Sequence, residues 1–306
     1  MIPFFAFLVM LYRTVYIGNP AILRLKDRQM RIRTTADDMD LGSIPVEDIG
    51  LVIIDHSWVT ITQGLIQALV ENNAVIVSCD QSHMPLGMMI SERGHTECSE
   101  RIKVQVEASD ALKKQLWSQI VKAKLSRQRE LLCRLSLPYE PMDDYVRMVK
   151  PGDETNMEGV GARYYWGRLF SEDFRRGQTD DLPNVLLNYG YAILRATVAR
   201  ALTSTGLLLV LGLFHRNKYN PYCLADDLME PFRPFIDALA IEWLADHALE
   251  EGFTKEARAH MLQCATMDVR AGDKLSPLLV AVRDAASSLY ACYTGRKRKL
   301  VFPSFP

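Results

Sequence analysis

The chain has 306 residues, 48% of them apolar and 24% charged, which is material for one large core or two ordinary ones and too apolar for a disordered chain. A formal net charge of −1 supplies no overall field for nucleic acid or acidic lipid, so an anionic partner must be met by a local basic patch. Six widely separated cysteines, Cys79, Cys98, Cys133, Cys223, Cys264 and Cys292, never fall into a C-x-x-C pair; this argues against a zinc ribbon or redox pair and for reduced, mostly buried thiols.

The opening MIPFFAFLVMLYR is apolar but far shorter than the roughly 20 residues that span a bilayer, and it lacks the basic region of a signal peptide. It reads as a first strand or an extension, and no membrane insertion is expected. From Thr14 to about Ile90 short strands with turn punctuation follow: TVYIG, AILRLKDRQMRIR, IGLVIID, NNAVIVSCD and MPLGMMIS. The alternation of Ile22, Arg24 and Lys26 with Leu23 and Leu25 suits a half-exposed antiparallel sheet. One helix interrupts them, Gly64 to Asn72, with Leu65, Ala68 and Leu69 at helical spacing.

After about Gly94 the pattern turns helical, and a second domain is expected. Val104–Leu135 reads as a helix or helix pair ended by Pro138 and Pro141. Further helices are expected at Asn156–Phe174, Asn184–Thr205 (capped by Asn184 and closed by Gly206), Asp227–Glu251, Thr254–Asp268 and Ser276–Thr294. There is no internal repeat and no phosphate-binding G-x-x-x-x-G-K-[ST] loop.

The chemistry concentrates in GLFHRNKYNPYCLADDLMEPFRP, Gly212 to Pro234. On a helix Asp227 and Glu230 share one face, about 5–6 Å apart at Cβ, and His215 would add a nitrogen to these oxygens as a divalent cation requires. Asp226 points elsewhere and could serve as a cap. The alternative is that the three acids only favour a helix start, with Pro231 and Pro234 in its early turns. Glu158, beside Gly159 and Gly161, has the same two readings: ligand, or first-turn acid behind an Asn156 cap.

Basic residues gather between Arg101 and Arg134: Arg101, Lys103, Lys113, Lys114, Lys122, Lys124, Arg127, Arg129 and Arg134 against Glu107, Asp110 and Glu130. Such a stripe suits phosphate contacts, or is an ordinary solvated face. Arg163, Arg168, Arg175 and Arg176 flank Glu158, and GRKRK from Gly295 carries Lys297. Tyr164, Tyr165 and Trp166 could stack on a splayed DNA end or form helix core. His83 suits a loop or interface role, whereas His56, His95, His247 and His260 lack an acidic context, and Cys223 suits packing.

Four segments carry a family likeness in chain order: SCDQSHMPLGMMI, MEGVGARYYWGRLF, NVLLNYGYAILRATVARAL and GLFHRNKYNPYCLADDLMEPFRP. Together they resemble the CRISPR-associated integrase, the catalytic subunit that inserts spacer DNA into a CRISPR array. H-R-N, with a glutamate fifteen residues after the histidine, resembles the version found in type II systems. Gly161, where alanine is more usual, and the first ten residues depart from the pattern.

The resemblance implies an α+β chain: a small N-terminal β-sandwich domain over 1–95, serving dimerisation and partner contacts, and a larger all-α catalytic domain over 96–306. It implies Glu158, His215 and Glu230 as ligands of Mg²⁺ or Mn²⁺, with Asp227 as an auxiliary acid. Lys113, Lys122, Arg127, Arg163, Arg168, Arg175, Arg176 and Lys297 are then the DNA-binding candidates. The implied partners are double-stranded DNA, as prespacer and CRISPR repeat, a second copy of the chain, and a small ferredoxin-like adaptation protein completing a cytoplasmic heterohexamer. Homodimer contacts are expected at an exposed strand edge of the N-terminal sheet. A structure-selective nuclease acting on branched DNA and a non-catalytic DNA-binding scaffold are the competing readings.

Overall fold

In the computed structural model, which describes residues 13–92 and 94–306, the chain divides between Ser91 and Glu92 into two units. The opening apolar segment, for which a first strand is expected, lies outside the described residues. The N-terminal unit contains β1 (Arg13–Ile17), β2 (Ala21–Lys26), β3 (Gln29–Thr34), β4 (Asp40–Pro45), β5 (Ile49–Ile54), β6 (Val59–Ile61), α1 (Gln63–Glu71), β7 (Val75–Cys79) and β8 (Pro85–Met89).

Two four-stranded sheets result, ordered β1-β5-β7-β8 and β4-β3-β2-β6. The alternating segment forms the antiparallel β2–β3 hairpin, which turns at Asp27 and Arg28, both at positive φ (52° and 58°), the conformation a tight two-residue hairpin needs. In the other sheet β1, β5 and β7 run parallel, and β5 is buried almost throughout, as a central parallel strand must be. Val15, Leu23, Met30, Val52 and Ile76 from the two sheets meet Leu65 and Leu69 of α1 in one core. The unit is a β-sandwich of mixed strand direction.

The C-terminal unit contains α2 (Cys98–Val106), α3 (Asp110–Arg134), α4 (Glu140–Met148), α5 (Met157–Leu169), α6 (Leu182–Ser204), α7 (Cys223–Met229), α8 (Arg233–Asp246), α9 (Lys255–Met261), the antiparallel hairpin β9 (Asp268–Ala271) and β10 (Lys274–Pro277), and α10 (Leu278–Tyr293). The hairpin departs from the expected all-α domain. The Val104–Leu135 segment is two helices, α3 being capped by Ser109, whose side chain accepts the Leu112 N–H at 3.2 Å. Pro141 opens α4 instead of ending α3. α6 starts earlier than expected because Asp181 is its cap, accepting the Asn184 N–H at 2.9 Å.

α3 is the spine of this unit. About 37 Å long at 1.5 Å per residue, it packs against α4, α5 and α8. Its buried stripe runs through Trp117, Ile120, Val121, Lys124, Leu125, Gln128 and Leu131. α6 packs against α7, α8, α9 and α10. The chain after α10 returns along α3, where Gln119 Oε1 accepts the Leu300 N–H at 2.9 Å and Arg127 donates to the Pro303 carbonyl at 2.7 Å. Of the six cysteines, all free, Cys223, Cys264 and Cys292 are buried, Cys79 and Cys98 are half-buried and Cys133 is exposed. That is fewer buried thiols than the composition suggested.

Candidate active site

Glu158 sits in the first turn of α5, but it does not cap the helix. Asn156, at left-handed φ 52° and ψ 45°, accepts the Gly159 N–H at 3.2 Å. Buried Asp153 accepts the N–H groups of Met157 and Glu158, each at 2.9 Å. With those N–H groups satisfied by other side chains, the Glu158 carboxylate reaches across to α3. Gly161, one turn on, faces Leu125, and a Cβ there would collide with the buried Leu125 side chain. This close approach of α5 to α3 is what a glycine, and not an alanine, permits.

α7 ends at Met229, and a single turn of 3₁₀ helix, Glu230–Phe232, joins it to α8. Glu230 is buried in that joint. Its Oε2 lies 2.5 Å from Lys124 Nζ, and Glu158 Oε1 lies 2.6 Å from the same nitrogen. Two carboxylates 72 residues apart in sequence therefore bracket one cation, and their oxygens lie within about 5 Å of each other, because each touches one nitrogen at the distances just given. Arg233 Nε approaches Glu230 Oε1 at 3.0 Å.

The ion pairs at Glu230 lack hydrogen-bond directionality: Oε2 and Arg233 Nε are both buried without a properly directed partner. Burial opposes the charge on Glu230, but Arg233 and Lys124 outweigh it and hold the carboxyl below its ordinary range. Burial likewise opposes the charge on Lys124, and Glu230 and Glu158 outweigh it, so the ammonium persists.

His215 is positioned by the turn before it. Leu213, Phe214 and His215 point their N–H groups at the fully buried Asp227 carboxylate, at 2.6, 3.0 and 3.2 Å. The same carboxylate takes His215 Nδ1 at 2.6 Å. A carboxylate only accepts, so the proton is on Nδ1, and Nε2 makes no hydrogen bond among the described residues. The bond to Asp227 raises the imidazole pKa against the opposing effect of burial. Gly212 lets the turn close, since a Cβ would lie 2.5 Å from the His215 carbonyl oxygen and 2.8 Å from Asp227 Oδ2. Trp117 of α3 walls the ring edge-on at 5.9 Å and stacks on Phe214 at 4.5 Å.

Asp226, expected as a cap, is a structural tie instead. It is buried and accepts Arg195 Nε and Asn220 Nδ2, both at 2.6 Å.

Among the described residues no three His, Cys, Asp or Glu side chains stand close enough to form a ready metal cage. The donors still suit a divalent cation in kind. Two carboxylates already share a cation, Glu230 Oε2 is an undirected buried acceptor, and the tautomer held by Asp227 leaves Nε2 as a donor lone pair.

The family model for CRISPR associated protein Cas1 matches residues 15–269. A CRISPR-associated endonuclease Cas1 from Neisseria meningitidis serogroup C is 33% identical over 95% of both chains. The chain belongs to the Cas1 family. In fold, a casposase bound to integration product superposes with a TM-score of 0.78 at 20% identity over 95% of this chain and 93% of that one. A chain of a Cas6-RT-Cas1–Cas2 complex gives a TM-score of 0.75 at 18% identity, covering 97% of this chain and 36% of that one.

The basic residues of this Cas1-family chain are less available than their number suggests. On α3, Arg129 pairs with Asp143 at 2.9 Å and Arg134 donates to the Pro306 carbonyl at 2.9 Å. Arg127, a DNA-binding candidate, is held by the Pro303 carbonyl and by Glu130 at 3.2 Å. Arg176, another, donates to Asn184 and Asn188 at 3.1 and 2.8 Å. Lys124, counted with the stripe, is buried between the acids.

Lys122, Arg163, Arg168, Arg175 and Lys297 are exposed and Lys113 is half-buried. Lys113 lines a cavity of about 410 Å³ with His215 and Arg216; Arg163 and Arg168 line a groove of about 560 Å³ along the outer face of α5 with Tyr145, Tyr164 and Asn156. The aromatic triplet divides: Tyr165 is core, donating to buried Asp237 at 2.7 Å, Tyr164 faces the groove, and Trp166 packs on Phe170 and Phe174. In the N-terminal unit His83 has an acid partner that its sequence context hides, the buried Asp55 at 2.9 Å.

Proposed function

We propose that this protein is a metal-dependent DNA integrase that inserts spacer DNA into a CRISPR array, joining a 3′-hydroxyl of the incoming DNA to a phosphodiester of the repeat. The observation that carries this is the convergence of Glu158 and Glu230, from separate helices, on one cation position, with His215 held in the metal-binding tautomer by Asp227. Glu158, His215 and Glu230 would hold Mg²⁺ or Mn²⁺, which when bound polarises the phosphodiester and favours the ionised 3′-hydroxyl. Asp227, its oxygens taken by four donors, acts behind His215 as its positioning acid.

One phosphodiester replaces another, so no nucleotide hydrolysis is required. Lys113, Lys122, Arg163, Arg168 and Lys297 hold DNA phosphates, and this assignment drops Arg127, Arg175 and Arg176, whose guanidinium groups are bonded within the chain. The partners are prespacer and repeat duplexes, a second copy of the chain and a small ferredoxin-like Cas partner in a cytoplasmic heterohexamer. Among the described residues no helix is long and apolar enough to cross a membrane. The exposed apolar residues Leu86 and Met89 on the edge strand β8, and Leu41 on the edge strand β4, are where copies or partners would meet the N-terminal unit.

The test is joining of a labelled 3′-hydroxyl duplex to a supercoiled plasmid bearing the repeat. Covalent joining supports the integrase; cutting of branched DNA without joining supports the nuclease. His215→Ala and Glu230→Ala should abolish joining while DNA binding persists, and joining at the wild-type rate by His215→Ala overturns the site assignment.

A further inference from the structure

Lys124 is out of place for a DNA-binding lysine. It stands in the apolar stripe of α3, with Ile120, Val121 and Leu125 all buried, and its side chain is only 10% exposed. An ammonium is brought to such a position only if its charge is compensated there. Lys124 and Arg233 carry two positive charges against the two negative ones of Glu158 and Glu230, and the adjoining Asp227, whose His215 partner is a neutral imidazole, adds one more negative charge.

We propose that the Lys124 ammonium is the resident counterion of Glu158 and Glu230, that a divalent cation must displace it to bind, and that a phosphate of bound DNA becomes its next partner. This rests on the metal-dependent function proposed above. The charge count dictates the second half. A divalent cation entering this buried cluster turns its net charge from −1 to +1, a surplus that low surrounding polarity makes costly until an anion arrives. The phosphodiester is the anion that binds at that place. Metal and DNA then favour each other's binding by the same factor, and the DNA-free protein holds its metal weakly.

The test measures Mn²⁺ binding to the full chain by the paramagnetic resonance signal of free Mn²⁺. It is done with and without a 3′-hydroxyl duplex, after subtracting Mn²⁺ bound by DNA alone. Lys124→Met, similar in volume and uncharged, should bind Mn²⁺ about tenfold more tightly than wild type without DNA, and DNA should improve its affinity less than it improves the wild type's. Lys124→Arg, which keeps the charge, should bind no more tightly than wild type. Equal or weaker binding by Lys124→Met, tightening by Lys124→Arg as well, or the same gain from DNA in wild type and Lys124→Met, overturns the proposal.

If Lys124→Met does not fold without metal, wild-type protein decides. Acetylation followed by mass spectrometry should find Lys124 protected without Mn²⁺ and reactive with it, exposed Lys122 serving as reference, and unchanged reactivity at saturating Mn²⁺ overturns the proposal. Glu230→Gln separates the two levels. If it binds Mn²⁺ as wild type does, the ligand assignment fails and this proposal with it. If it loses Mn²⁺ while Lys124→Met is unchanged, only the role of Lys124 fails.

Discussion

Asp227→Asn isolates the hinge of the site because it keeps shape and removes half the acceptors. In the wild type Oδ2 receives the Leu213 and Phe214 N–H groups, and Oδ1 receives the His215 N–H and ring Nδ1. An asparagine offers one oxygen and one NH₂ group. If the oxygen stays with Leu213 and Phe214, the amide nitrogen faces the other two donors. One of those, the imidazole, can change tautomer and accept at Nδ1; the His215 backbone N–H cannot. With one or two buried donors orphaned at about 1–3 kcal/mol each, the cost is about 1–6 kcal/mol. The tautomer change also puts the proton on Nε2, the atom proposed to ligate metal. Urea unfolding of wild type and variant should show the destabilisation as a lower midpoint at unchanged slope. Nitrogen chemical shifts of His215 should show the proton moved from Nδ1 to Nε2, and Mn²⁺ affinity should fall. A variant with the wild-type midpoint and the proton still on Nδ1 refutes the reasoning.

Gly161→Ala should destabilise by about 1–3 kcal/mol through overpacking against Leu125, and weaken Mn²⁺ binding by moving Glu158 away from α3; thermal unfolding and metal titration read both. Buried Asp237, raised to about 6 by burial against the hydrogen bonds of Tyr191 and Tyr165, binds its proton more tightly folded than unfolded. Its contribution to stability is therefore full below the unfolded value of 3.8 and is lost as pH rises through about 6. Asp237→Asn should flatten that part of the stability–pH curve relative to wild type, and parallel curves would contradict it. Arg163→Ala with Arg168→Ala should weaken binding to all DNA sequences alike and lower the salt slope by about 1 for each phosphate left without its arginine. Arg127→Ala, by contrast, should leave that slope unchanged and lower thermal stability by freeing the Pro303 carbonyl.

What was legible in the sequence was whatever periodicity or a four-segment likeness could carry. The β2–β3 alternation, the helical character after Gly94 and the family followed from patterns that survive without knowledge of contacts. Asp27-Arg28 shows the limit: a hairpin turn with both residues at positive φ, where neither is the glycine or asparagine that announces such turns. The parallel pairing of β1, β5 and β7 joins strands separated by other elements, which local alternation does not report. Asp226 and Asp227 face different ways on a helix, which the sequence shows, but the task of each is set by its partners, Arg195 and Asn220 for one and the His215 turn for the other.

Lys124 had a signal that counting charges concealed. Numbered with the basic residues of α3, it belongs to a DNA-binding stripe; placed on the helix, it follows Trp117, Ile120 and Val121 and precedes Leu125, Gln128 and Leu131 on the buried face. A lysine in an apolar period needs a carboxylate opposite it, and two acids with no helix-capping task left, Glu158 and Glu230, were available in the same sequence. The periodicity of α3 thus locates the cation position independently of any family motif. The acids that meet there are held by residues with no chemistry of their own to mark them: Asp153 and Asn156 release Glu158 from capping, Gly161 brings α5 against α3, and Pro231 breaks α7 from α8 so that Glu230 turns inward. Substitutions at these supports should therefore shift metal affinity directly and DNA binding only through its coupling to the metal, because the phosphate contacts rest on a different, exposed set of residues.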